Sequence, residues 1–427
     1  MDKRMEGLKA YLDASVSVYH AVAELEKNLQ AAGYACLREG NPWAIVPGGK
    51  YYLTRGGTAL VAFRIPEGEA KGFLMSASHS DRPTFKIKEN GQLTGKYTRL
   101  ATEKYGGMLM STWADRPLSI AGRVLVETET GAESVLVNID RDLLMIPNVA
   151  IHMNRKANEG FEWNPTTDTV PLMGGKEAEG KLEGLLQKQA SGKILGSDLY
   201  LYLRQKATAW GLEEEYISSA ALDDLMCAWC CTQGFLEAKT GESVPVLCVF
   251  DSEEVGSSSV QGACSDLLET TLSRICKTMG WELEQMLSRS FMISADNAHA
   301  VHPNHPEYAD ANNAPQMNGG IVLKFNANLR YATDGLSAAV LRKVCGKADV
   351  PVQTFYNRAD LPGGSTLGSL SLAHVAVPTA DIGLAQLAMH SAYETAGTKD
   401  ALYLIAAMES YYGSTFDRPT ETEFTLH

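Results

Sequence analysis

Residues 244–256 read VPVLCVFDSEEVG, an apolar run that stops abruptly in acids. A short apolar run bounded in this way reads as a buried strand. Three other runs end alike. GFLMSASHSD, from residue 72, ends in His79 and Asp81; FMISAD, from residue 291, ends in Asp296; the run Val377–Ile382 is soon followed by His390. IVLKF at 321–325 adds another strand, and segments 223–239 and 260–280 read as helices. Alternation of this kind predicts an α/β layer around a largely parallel sheet. In such sheets sites form outside the carboxyl ends of the strands. Any one of these polar ends has an ordinary explanation: Asp296 as a helix N-cap, His390 as a surface or core histidine. Four ends of matching chemistry are much harder to obtain by accident.

The residue types suit two divalent metals. Zinc takes imidazole nitrogen and carboxylate oxygen, with cobalt and manganese as the other candidates. One carboxylate can bridge two ions, each then needing about one histidine and one further carboxylate. His79, Asp223, Glu254, Asp296 and His390 supply that set, with a water left between the metals. His79-x-Asp81 fits a ligand and the carboxylate that fixes its tautomer. Adjacent glutamates at 253 and 254 suit divided duties, one on metal and one moving a proton.

The remainder of the chain narrows the class. Its 427 residues carry a formal net charge of −13 and a sequence pI near 5.3, which argues against nucleic acid or anionic membrane as the main partner. No run approaches a membrane span and the N-terminus lacks the pattern of a signal peptide, so the expected location is cytoplasmic. Eight cysteines are scattered in apolar surroundings and read as reduced thiols; Cys227-Ala-Trp-Cys230-Cys231 reads as a helix turning small residues inward rather than half a zinc ribbon. Residues 5–32 read as one amphipathic helix, and 51–55 with 59–65 as a hairpin across Gly56-Gly57. From about 89 to 206 the chain turns β-rich and turn-rich.

ASHSDRPTFKIK, GGMLMSTWADRPLSIAGRV, DSEEVGSSSVQGA, SADNAHAVHPN, NANLRYATD, PGGSTLG and QLAMHS, spread over residues 76 to 392, resemble the cocatalytic zinc exopeptidases. Within that group the chain is similar to the aspartyl aminopeptidase family, which includes vacuolar aminopeptidase I. The resemblance implies a zinc-exopeptidase central sheet flanked by helices, formed by residues 1–88 and 207–427, with 89–206 as an inserted β-rich dimerisation domain. It implies that His79 and Asp296 complete the shell of one metal and Glu254 and His390 that of the other, with Asp223 bridging. Asp81 would orient His79, and Glu253 would be the general base. Lys324, with Tyr331 nearby, would meet an acidic N-terminal side chain of a short peptide substrate; some members prefer neutral residues. His299 and His302 would lie close to the site. His152 of the insert would reach a neighbouring subunit's site within a tetrahedral dodecamer built from dimers. Two positions depart from the family pattern: Asp224 stands where Asn is common, and PGGST lacks a Cys that often precedes its glycines.

A zinc carboxypeptidase or deacylase uses a similar ligand order. Here the long gap falls between His79 and Asp223 and the later gaps are shorter, which fits the aminopeptidase arrangement. A scaffold that kept the fold and lost the chemistry is the other alternative, and no required residue is missing; such a protein need hold no stoichiometric metal.

Overall fold

The computed structural model describes residues 2–361, 363–364, 366–420 and 422–427. Pro362 and Ser365 of the PGGST stretch therefore lie outside the described residues. The centre is a nine-stranded sheet in the order Ala35–Cys36, Lys50–Arg55, Ala59–Arg64, Val244–Phe250, Phe73–His79, Phe291–Ala295, Thr379–Gly383, Ile321–Phe325, Val352–Tyr356. Its four middle strands run parallel. All residues of VPVLCVF and of FLMSASH are buried, as expected of strands covered on both faces.

Alternation along these strands divides the core in two. Leu74, Leu247 and Val249 point to a layer built by the helices Lys3–Ala14, Val18–Ala31, Leu222–Glu237, Gly335–Lys347 and Thr398–Tyr412. Phe73, Met75, Val246 and Cys248 point to the opposite layer, which includes the helix Leu267–Met279. Cys227, Cys230 and Cys231 are buried free thiols on the helix Leu222–Glu237. Gly234 of that helix lets Thr398–Tyr412 approach closely, since a Cβ there would sit 2.5 Å from the Met408 Cβ.

One expected element divides. The stretch 5–32 is two helices, broken at Ser15–Ser17. Ser15 Oγ donates back to the Tyr11 carbonyl at 2.7 Å, and Ser17 caps the second helix by accepting from His20 N. Two serines competing locally for backbone groups outweigh the continuous apolar stripe. The 260–280 segment likewise becomes helical only from Leu267.

A second, six-stranded sheet has the order Ala132–Asn138, Leu118–Glu127, Ile194–Leu203, Thr84–Leu93, Tyr97–Tyr105, Leu172–Gly175, over its own apolar core. Its strand Thr84–Leu93 straddles position 89. Asp198 joins it to the first layer by accepting from Tyr19 Oη at 3.0 Å, and within its own sheet it accepts from Arg123 Nε at 2.9 Å. A third, five-stranded sheet orders Thr208–Trp210, Tyr216–Ser219, Glu394–Gly397, Ala385–Leu387 and Ala298–His299. Among the described residues no helix is long and apolar enough to cross a membrane.

Candidate active site

The parallel strands Phe73–His79 and Val244–Phe250 pair in register, with His79 opposite Phe250. Whatever follows them therefore leaves the sheet at the same end. Ser252, at φ 64°, turns the chain into a short 3-10 turn that carries Glu253 and Glu254. Asp296 follows the next strand. Asp223 and Asp224 sit where the helix Leu222–Glu237 begins, with backbone angles that are not helical; the peptide between them is cis. His390 comes from the loop between Ala385–Leu387 and Glu394–Gly397.

These side chains converge in a specific way. His79 Nε2 lies 3.6 Å from Asp223 Oδ1 and 3.8 Å from Asp296 Oδ1. His390 Nε2 lies 3.4 Å from Asp223 Oδ2 and 3.4 Å from Glu254 Oε2. Each oxygen of Asp223 thus faces a different histidine–carboxylate pair. His79, Asp223 and Asp296 form one cluster able to hold an ion, and Asp223, Glu254 and His390 form another; His79 with Glu253 and Glu254 lies across them. Most of these separations exceed the ordinary hydrogen-bond range. The two at 3.4 Å match the edge of a tetrahedron, about 3.3–3.4 Å for donors 2.0–2.1 Å from a shared zinc, and those at 3.6 Å and 3.8 Å are somewhat longer.

Electrostatics points the same way. Burial, with Asp296, Asp223 and Asp81 adding to it, pushes the Glu253 carboxyl up to about 8. Burial and Asp223 drive Glu254 well above its ordinary range. Burial works against a charged His79, yet its contacts with Asp223, Asp296 and Asp81 outweigh that and raise its pKa well above the usual value. Asp223 Oδ1 and Glu254 Oε1 are buried with no hydrogen-bond partner. Crowded buried carboxylates with orphaned oxygens are costly unless paired or metal-bound. The donor set therefore fits divalent cations.

Asp81 does more than orient one ring. His79 Nδ1 lies 3.2 Å from its carbonyl and 3.3 Å from its Oδ1. The same carboxylate accepts from Glu253 N at 3.1 Å, Glu254 N at 3.2 Å and Tyr105 Oη at 2.8 Å. Asp224 accepts from His79 N at 3.0 Å, so the residue standing where Asn is common holds the first histidine's main chain. Lys324 is 2% exposed. Its ammonium donates to the carbonyls of Asp296 at 2.7 Å and Asn297 at 3.3 Å and lies 3.6 Å from Asp296 Oδ2. Burial disfavours its charge, but Asp296, Tyr331 and Asp381 outweigh that and raise its pKa. Tyr331 lies under it, with the ring centroid 5.2 Å from the ammonium. His299 is exposed, on the edge strand Ala298–His299, and lines a cavity of about 220 Å³ with His302, Phe355 and Arg358. His152 is exposed on a turn and belongs to neither ion-holding cluster.

Sequence reading missed three supports. Glu394 is buried against the site and accepts from Asp223 N and His390 N. Asn297 ties Leu222 O to Gln386 Oε1, both at 2.8 Å. The third is the strap after Tyr105, which quotes as GGMLMSTW. Leu109 N donates to His390 O at 3.0 Å, and Ala392 N donates to Thr112 Oγ1 at 2.9 Å. A Cβ on Gly106, at φ 75°, would stand 3.1 Å from the Glu254 Cβ. The two glycines were the available signal.

Known proteins resemble this chain over nearly its whole length. The model of a family described as "Aminopeptidase I zinc metalloprotease (M18)" matches residues 11–412. A probable M18 family aminopeptidase 2 of Clostridium novyi (strain NT) is 40% identical over 418 residues, covering 94% of this chain and 96% of its own. The cryo-EM structure of the Ape4 and Nbr1 complex contains a chain superposing with a TM-score of 0.92 at 36% identity, over 96% of this chain and 85% of that one. The S. cerevisiae mApe1 dodecamer superposes with a TM-score of 0.85 at 26% identity, with 96% of each chain covered. This chain belongs to the M18 family of zinc metalloproteases, and it is a metalloaminopeptidase that hydrolyses peptide bonds.

Proposed function

We propose that this metalloaminopeptidase uses two divalent ions, zinc in the first place, and removes N-terminal Asp or Glu from short peptides. The observation that carries the two-ion reading is the division of Asp223, one oxygen toward His79 and Asp296 and the other toward His390 and Glu254. When bound, such ions polarise the scissile carbonyl and make water acidic enough to attack near neutral pH. Glu253 is outside both clusters that share Asp223, yet beside them, and is free to move a proton. Its carboxylate takes a proton from the attacking water and delivers it to the leaving amine. Asp81 keeps Glu253 and Glu254 at fixed places through their backbone N–H groups.

Gly106→Val tests the strap. A branched side chain at φ 75° presses on Glu254, and the expected result is zinc affinity about 10-fold lower or worse. Zinc transfer to a competing chelator measures this; unchanged affinity would mean that the strap does not support Glu254.

Acidic specificity needs a fixed cation in an acidic protein, and Lys324 beside Asp296 supplies one, with Tyr331 packed against it. Lys324→Leu should then lower kcat/KM on aspartyl and glutamyl substrates far more than on leucyl ones. One observation favours the second reading, a preference for neutral residues: Asp296 and Asn297 already engage the ammonium. In that case Lys324 steadies Asp296, and the loss is equal on both substrate types.

The chain also assembles with copies of itself, first as dimers through the inserted β-rich domain and then as a tetrahedral dodecamer. Support comes from the mApe1 dodecamer and from a loop of the second-sheet unit that exposes Val149, Ile151 and Met153, the last 79% exposed. Exposed apolar side chains clustered in this way mark contact surfaces.

A further inference from the structure

The loop that delivers His390 is held in an uncommon conformation. Ala388 has φ 56° and His390 has φ 65°, a region that non-glycine residues seldom adopt without support. Two contacts pin the main chain of His390. Its carbonyl accepts from Leu109 N at 3.0 Å, and its N–H donates to Glu394 Oε1 at 2.7 Å. The other oxygen of Glu394, Oε2, accepts from Asp223 N at 3.0 Å. Topology explains the double hold. Glu394 pairs with Ser219 across two strands of the five-stranded sheet, and Ser219 leads directly into Leu222-Asp223. Glu394 also stands four residues after His390. One side chain, 1% exposed, therefore sits in the corner between two ligand-bearing segments. The other half of the centre has different supports. His79 is held by Asp81 and Asp224, and Asp296 by Lys324.

We propose that Glu394 is a positioning residue for one half of the metal centre. Its carboxylate fixes the main chain at Asp223 and His390, and the ion shared by Asp223, Glu254 and His390 depends on it more than the ion shared by His79, Asp223 and Asp296. This rests on the two-ion reading above. Both oxygens of Glu394 must accept, so glutamine, whose amide presents N–H groups at one end, turns one contact into two opposed donors. Aspartate keeps the buried charge but is one methylene short of spanning both N–H groups.

The test is zinc binding to metal-free enzyme at buffered zinc, with content per chain read by mass spectrometry, for the natural chain, Glu394→Gln and Glu394→Asp. The natural chain should take two ions. In the variants one ion should bind about 10- to 100-fold more weakly while the other keeps its affinity. Activity should return as zinc is raised, with kcat near normal. Two ions held at natural affinity in both variants, or both ions weakened equally, would overturn the proposal. A single ion in the natural chain would overturn the two-ion reading, and this proposal with it. Glu394→Asp keeps the result readable if the glutamine variant does not fold.

Discussion

Replacing Glu253 by glutamine is expected to leave fold and metal content unchanged and to lower turnover by about 10²–10⁴. The carboxylate groups with His79 and Glu254, but neither cluster that shares Asp223 includes it. Glutamine keeps the shape and loses the ability to take a proton. In the metal-free chain burial holds this carboxyl near 8, and nearby divalent charge pulls it down toward a base that is ionised at neutral pH. Turnover measured beside zinc content decides the matter: near-normal kcat with the metals in place would exclude Glu253 as the base. Asp223→Asn should behave differently and lower metal content itself, because both clusters share that carboxylate.

His152→Ala is expected to keep both metals and normal assembly while turnover falls by about 10²–10³, the loss typical of removing one oxyanion donor. His152 is exposed on a turn beside the apolar side chains of Ile151 and Met153, far more suited to meeting a second copy than to serving its own chain. In the proposed dimer it reaches the partner's site and donates to the oxyanion that develops as the peptide carbonyl is attacked. Mixing sharpens the test. Glu253→Gln and His152→Ala subunits are each impaired, but a mixed dimer contains one site with both Glu253 and a donated His152. Activity should therefore return on co-assembly. Mixtures that stay inactive while subunits demonstrably exchange would show that His152 does not act across an interface.

Much of the site was legible because a parallel sheet aligns strand ends. His79, Glu253, Glu254 and Asp296 each follow an apolar run closely, so strand recognition alone brought them to one edge. His390 was harder, since a short strand of the third sheet intervenes between the run 377–382 and its loop. That third sheet escaped notice because its strands are short and lack clear alternation. Glu394 escaped with it: a glutamate in SAYETAG carries no motif, and its role exists only once Asp223 and His390 are adjacent. Lys324 reads from sequence as a strand lysine, and its burial depends on Asp296 from a strand two places away in the sheet. The break at Ser15–Ser17 was visible in composition but was overridden by a stripe that runs straight through it. Legibility thus followed local pattern, and failed where a side chain's role is fixed by a neighbour distant in sequence.

A pair of ions divided by Asp223 is central to the proposed chemistry. Zinc-edge anomalous diffraction from crystals of the metal-loaded enzyme tests it most directly. Two peaks are expected about 3.5–4 Å apart, one between His79 and Asp296, the other between His390 and Glu254, with one oxygen of Asp223 on each. A single peak, or a second peak away from Asp223, would contradict it.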